Sequence, residues 1–445
     1  MEYEELLKKI QSLQSKITII GLGQVGLPVA LTLSGENFKV TGYDINDKLM
    51  DSIAEGHLPF EETNLEKMLN SCIKNNTFFL SKNFQETINN SDIIIICVPT
   101  PISDSNMPDL SAFEKVCKSI TAFELNNKLI IIESSIPPGT FENIFLPYFE
   151  KKYSIGQNLF LAYIPERLSP DQAFEEIKNT SRIVGSVDTN SSILAVTLYE
   201  KIVKNEIFSS NVKIAEISKL VENTYRDVNV AFANEVGLIC EKYGVDASEL
   251  IKISNTHPRV NILTPGPGVG GPCLPKDPFL LLNPINNSPI KSGIITESRK
   301  INDSMPIHVV KSILDSIEKK QKTIQNLKIL IMGVAYKANI SDTRNSPSKP
   351  IISNLLEKGA DLYVFDPKTK ENFNANTISD FSASNGFDVI VFVTDHKEFK
   401  QMKLSEIYSH MNKNNPILVD TRRIFDNKEA EKLGFHYVSV GYISE

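Results

Sequence analysis

From Ile17 onward, short β-branched runs alternate with stretches of helical periodicity, which is the pattern of parallel strands joined by helices. The first expected strands are residues 17–20, 39–43, 92–98, 128–133 and 159–163. Several are apolar throughout instead of alternating, as a sheet covered by helices on both faces requires. The pattern then breaks. Residues 213–243 contain no proline and no strand-like run, and Ile214, Ile217, Val221, Val228, Phe232, Val236 and Ile239 recur at helical intervals, which predicts one long helix. A Gly- and Pro-rich loop (264–278) precedes further helices to about residue 320, and strand signals resume at 328–332, 361–365, 389–393 and 417–420. The expected fold class is α/β, with two α/β domains (1–210 and 321–445) joined by a long-helix central domain (211–320). The 445 residues, at about 150 per domain, also suggest three units.

Gly21-x-Gly23-x-x-Gly26 directly follows the first expected strand and opens a helix. Glycines in that place permit a tight turn, close approach of a pyrophosphate to the backbone, and packing of helix on strand, while the helix start offers free N–H groups. Asp44 closes the second strand, 18 residues after Gly26, where a carboxylate can accept from a ribose 2′-hydroxyl and repel a 2′-phosphate. This marks the first domain as a Rossmann domain and NAD, rather than NADP, as its cofactor; the alternative is a glycine turn serving only helix packing. The strand ends at Val98-Pro99-Thr100-Pro101 and Ser134-Ser135-Ile136-Pro137 would face the same crevice.

Other features exclude classes of function. Lys and Arg total 47 against 54 Asp and Glu, a net charge of −7 that gives no overall attraction to nucleic acid or an anionic membrane. The five cysteines are widely spaced without a C-x-x-C pair, and the six histidines nowhere approach ligand spacing, so neither a disulfide framework nor a metal site is expected. Apolar runs are far shorter than the roughly 18 residues of a membrane span, and residues 1–16 read as a surface helix, so a cytoplasmic setting is expected.

Cys273 lies in a rigid loop, residues 270–277, beside Lys276, where a lowered pKa would make it a nucleophile; the plain alternative is a small buried residue. On the long helix, Glu216, Lys219, Asn223 and Arg226 fall on one face, at offsets of 0, 3, 7 and 10. That stripe is either a solvated face or part of a site. A thiolate attacking an aldehyde generates an oxyanion, which an ammonium and an amide can stabilise.

Together these segments resemble the nucleotide-sugar 6-dehydrogenase family, which includes UDP-glucose, GDP-mannose and UDP-N-acetylhexosamine dehydrogenases. The resemblance spans nearly the whole chain. It rests on residues 21–28, on Val98-Pro99-Thr100-Pro101 with Pro108-Asp109-Leu110, and on 133–140, Pro165-Glu166-Arg167, 270–277 and 337–347. Residues 215–235 and 257–271 look most like the UDP-N-acetyl-D-mannosamine dehydrogenases, whereas Pro272 and Leu274-Pro275-Lys276-Asp277 are closer to the UDP-glucose version.

The resemblance implies oxidation of a sugar C6 alcohol to a carboxylate with two NAD and one water. Cys273 would carry a thioester, Lys219, Asn223 and a water held by Asp277 would stabilise the oxyanion, and Glu166 and Asp277 would assist hydrolysis. It places Gly21, Gly23, Gln24, Val25, Gly26, Asp44, Thr100, Ser135, Lys276 and Arg344 at NAD, and the C-terminal domain at the UDP moiety. Arg259, Lys337, Glu166 and Arg167 would contact substrate, Arg259 across a homodimer interface formed by the middle helix. UDP-N-acetyl-D-mannosamine is the first-choice substrate, followed by UDP-N-acetylglucosamine, UDP-N-acetylgalactosamine and UDP-glucose; the competing class is a two-electron 3-hydroxyacid-type dehydrogenase. A surface polysaccharide or glycan is the expected destination of the product.

Overall fold

The computed structural model describes residues 2–58, 60, 62, 64–168, 172–285, 293–325 and 327–443. The chain divides into two compact units, Met1–Glu222 with Phe279–Lys291, and Asn223–Pro278 with Ser292–Glu445.

The first unit holds an eight-stranded sheet: β1 (Lys16–Ile20), β2 (Lys39–Tyr43), β3 (Phe78–Leu80), β4 (Ile93–Ile96), β5 (Lys128–Ile132), β6 (Leu159–Tyr163), β7 (Arg182–Ser186) and β8 (Ile207–Asn211). Their spatial order is β3-β2-β1-β4-β5-β6-β7-β8, whose first six strands follow the 3-2-1-4-5-6 order of a dinucleotide-binding sheet. The all-apolar strands are explained by two cores. In β4, Ile93 and Ile95 enter one hydrophobic cluster and Ile94 and Ile96 the other, so helices must cover both faces. The expectation of parallel strands fails here where β7 runs antiparallel to β6, and in the second unit where its last two strands pair antiparallel. The helix Glu2–Gln11 buries Leu6 and Ile10 in the first of these clusters.

The second unit repeats the principle with β9 (Lys328–Met332), β10 (Asp361–Phe365), β11 (Asn376–Thr377), β12 (Val389–Phe392), β13 (Ile417–Asp420), β14 (His436–Ser439) and β15 (Tyr442–Ile443), ordered β11-β10-β9-β12-β13-β14-β15. Here too alternate residues serve two cores: Ile329 and Ile331 one, Leu330 and Met332 the other. A 32-residue helix, Val212–Tyr243, contains the boundary between the units, and a second long helix, Ile294–Lys319, accommodates Pro306 in its interior.

Candidate active site

In the first unit, the turn after β1 is shaped by its glycines. Gly21 has φ +94° and a Cβ there would lie 2.6 Å from the Cys97 carbonyl oxygen; a Cβ on Gly26 would lie 1.8 Å from that of Gly21. Around Gly23, by contrast, a Cβ would meet nothing within 4 Å. Gln24 and Val25 complete the turn before the helix Gly26–Gly35. Asp44, half-buried at the end of β2, accepts from the Leu22 N–H at 2.9 Å and the Asn46 N–H at 2.9 Å. The two tightly packed glycines, the open one and the carboxylate beyond the next strand fit a dinucleotide. The strand-end loops beside this turn are laced together: the Thr100 hydroxyl donates to the Ser135 carbonyl at 2.5 Å, and that of Ser134 to the Val98 carbonyl at 2.7 Å.

Behind these loops lies a buried set of ionisable groups. Lys219 and Glu166 are both buried, with Nζ 3.8 Å from Oε2. Glu133, fully buried at the end of β5, accepts from the Tyr199 hydroxyl and lies near the Cys97 thiol. Burial pushes its carboxyl up to about 7, although Arg182 opposes the shift. Arg167 gives its guanidinium to Glu222, at 3.0 Å from Nε and 2.8 Å from Nη2.

In the second unit, the chain turns sharply at Cys273, whose carbonyl accepts from the N–H groups of Lys276 (2.9 Å) and Asp277 (2.8 Å). The turn brings Asp277, fully buried, to Asn223, whose amide donates to Oδ2 at 2.6 Å; Lys276 Nζ stands 3.8 Å from Oδ1, which accepts no hydrogen bond among the described residues. Gly271 anchors the loop by donating to the Arg344 carbonyl at 2.9 Å and accepting from the Asn345 amide at 3.1 Å. With φ +90°, Gly271 passes so close to Tyr336 that a Cβ would sit 2.6 Å from its ring. Burial, then neighbouring Asp342 and Cys273, push that phenol up to about 12. Arg344 is forked onto Asp342, with Nε 3.0 Å from both carboxylate oxygens, and this bond raises its pKa further. Lys337 and Arg259 are exposed.

The polar stripe on the long helix is not a solvated face at its first three positions. Glu216, Lys219 and Asn223 are buried while Arg226 is exposed. Glu216 is held there because its carboxylate accepts from the Gly139 N–H at 2.7 Å and the Phe141 N–H at 2.8 Å; Asn223 is held by Asp277. The exposed stripe is the apolar one: Ile214, Ile217, Val221, Phe232 and Ile239 are each at least 40% exposed. Arg422, just past β13, donates to the Val393 carbonyl at 2.9 Å and lies against Gly266 of the Gly- and Pro-rich loop.

Three family models match the chain in order: the NAD binding domain (residues 15–203), central domain (213–304) and UDP binding domain (330–427) of the UDP-glucose/GDP-mannose dehydrogenase family. The chain belongs to this family. It is accordingly an NAD-dependent nucleotide-sugar dehydrogenase. Among its relatives is the UDP-N-acetyl-D-mannosamine dehydrogenase of Methanocaldococcus jannaschii, 38% identical over 431 residues, which are 96% of each chain. The NDP-N-acetyl-D-galactosaminuronic acid dehydrogenase of Ralstonia nicotianae is 31% identical over 430 residues, 93% of this chain and 96% of its own. The solved UDP-D-ManNAc dehydrogenase of Pyrococcus horikoshii superposes with a TM-score of 0.88 at 35% identity, covering 96% of this chain and 99% of that one. Among the described residues, no helix is long and apolar enough to cross a membrane.

Proposed function

We propose that this dehydrogenase oxidises C6 of UDP-N-acetyl-D-mannosamine to the uronic acid through a thioester on Cys273. The observation that carries the mechanism is the Asn223–Asp277 hydrogen bond, which ties the buried polar stripe of the long helix to the turn that begins at Cys273. The sugar rests on the near full-length likeness to UDP-N-acetyl-D-mannosamine dehydrogenases. Bound NAD supplies the acceptor for the hydride lost in each of the two oxidations. Lys219 and Asn223 neutralise the negative oxygen at C6, first on the alcohol as its proton leaves and then on the adduct formed when the Cys273 sulfur bonds to the aldehyde carbon. The second oxidation leaves that carbon as a thioester. Glu166 takes a proton from the attacking water, Asp277 orients that water, the C–S bond breaks, and the thiolate leaves. The sum is one alcohol, one water and two NAD giving one carboxylate, two NADH and three protons.

Gly21, Gly23, Gln24, Val25, Gly26, Asp44, Thr100, Ser135, Lys276 and Arg344 serve the cofactor in this reading, and Arg259, Lys337, Glu166 and Arg167 the substrate. Residues 1–210 act as the NAD-binding domain, 211–320 as the dimerising domain carrying the cysteine, and 321–445 as the UDP-binding domain. The exposed apolar stripe of the long helix supports a homodimer, because isologous pairing of such stripes removes their area from water. A panel of UDP-sugars, followed by NADH absorbance, tests substrate and mechanism together. UDP-N-acetyl-D-mannosamine is expected to turn over best and to yield two NADH per molecule. A yield of one NADH would reject the four-electron route in favour of a two-electron dehydrogenase, and preference for another sugar would overturn the assignment of the epimer.

A further inference from the structure

The second unit contains a buried aspartate–histidine pair with no part in the chemistry above. The side chains of Asp366, just past β10, and of His396 are both wholly inaccessible to solvent, with His396 Nε2 3.2 Å from Asp366 Oδ2. The same oxygen accepts from the main-chain N–H groups of Val334 (2.7 Å) and Ala335 (3.2 Å). On the other side of the ring, Nδ1 lies 2.9 Å from the main-chain nitrogen of Asn339. A peptide N–H can only donate, so Nδ1 is the acceptor and Nε2 carries the proton given to Asp366. One continuous relay therefore joins the two ends of the segment 334–339.

Further bonds reinforce both ends. The Thr394 hydroxyl donates to the Ala335 carbonyl at 2.6 Å, and the Lys397 N–H donates to the Asn339 side-chain oxygen at 2.9 Å, with Asn339 at φ +65°. Burial works to raise the Asp366 carboxyl, but the bonds from His396, Val334 and Lys368 outweigh it and hold the group below its ordinary range. Between the two tied ends, Lys337 stands exposed.

We propose that Asp366 and His396 act as a staple that sets the 334–339 loop before the nucleotide arrives, which makes His396 a positioning residue for recognition of the UDP moiety by Lys337. The proposal rests on the reading above that Lys337 meets the nucleotide. A lysine on an untied loop would require that loop to be ordered at the moment of binding; a loop tied by folding does not, and the gain falls on affinity for the nucleotide. Because the same segment carries Tyr336 against Gly271 of the cysteine loop, the staple is read in the binding of UDP itself and in the KM for UDP-sugar, and not in the KM for NAD.

The test uses the full-length enzyme with His396→Leu and His396→Gln, measuring KM for both substrates, calorimetric binding of UDP itself, and thermal denaturation. In His396→Leu, the KM for UDP-sugar and the Kd for UDP are expected to rise about ten- to hundredfold, with the KM for NAD within about twofold. In His396→Gln, the amide can accept from Asn339 and donate to Asp366, so most of the affinity is expected to return. A folded His396→Leu protein that binds UDP as wild type does, or shifts both KM values alike, overturns the staple. If His396→Leu does not fold, Asp366→Ala, which removes the oxygen shared by His396, Val334 and Ala335, takes its place, and unchanged UDP binding there is equally fatal. Failure of the wild-type protein to bind UDP would instead remove the nucleotide assignment of Lys337 on which the staple depends.

Discussion

Gly21 and Gly333 close the first strand of their respective sheets with the same bond, an N–H given at 2.8 Å to the last residue of the neighbouring strand, Tyr43 in one unit and Phe365 in the other. The residue after each glycine then gives its N–H to an aspartate just beyond that strand, Leu22 to Asp44 and Val334 to Asp366. The likeness ends at the carboxylate. Asp44 accepts from two main-chain N–H groups, whereas the Asp366 side chain is wholly inaccessible to solvent and is also bonded to His396. In the reading proposed above, one turn geometry thus supports two uses: a carboxylate that meets a dinucleotide, and a carboxylate that holds its own loop.

The sharpest way to break this comparison is at Gly26. A methyl there meets the Gly21 carbonyl at 1.8 Å, so Gly26→Ala is expected to weaken NAD binding more than about a hundredfold, near 3 kcal/mol, while UDP binding stays within about twofold. Parallel titrations with NAD and UDP check it, and equal losses would mean that the two units do not bind their ligands separately.

Glu133 and Asp366 should also answer pH in opposite senses. Glu133 is raised to about 7 in the folded protein from an ordinary 4.5, so its contribution to stability is complete below about 4.5 and is lost as pH rises through 7. Asp366 is lowered from 3.8, so its contribution is present above 3.8 and is lost as pH falls through its folded value. Denaturant melts at pH 5 and 8 should show Glu133→Gln removing about 2 kcal/mol of the wild-type decline over that interval; an unchanged decline would show that Glu133 is not its source. The smallest expected effect separates the aspartates themselves. Asp44→Asn is expected to raise the KM for NAD about tenfold, roughly 1.4 kcal/mol, and to narrow discrimination against NADP; Asp366→Asn should leave both cofactor constants unchanged.

Much of the architecture was legible because its signals are local. Four consecutive isoleucines at 93–96 can be satisfied only by a strand with a core on each face, and the glycine turn announces itself by spacing. Phe78–Leu80 was missed because it is short, and Ile207–Asn211 because it is an edge strand bearing Ser209 and Ser210. On the long helix, periodicity separates a polar from an apolar face without saying which one turns inward. The answer depends on Gly139, Phe141 and Asp277, whose positions emerge only with the fold. Asp366 and His396, 30 residues apart in sequence, meet for the same reason.

The relay across the 334–339 segment has a consequence for descent as well as for binding. Bridging two fixed points through an imidazole specifies how many residues span them, so a gain or loss of one codon pulls the tied ends out of register. Homologous chains should hold this span constant in count, and a one-residue deletion should harm UDP binding at least as much as replacing Lys337.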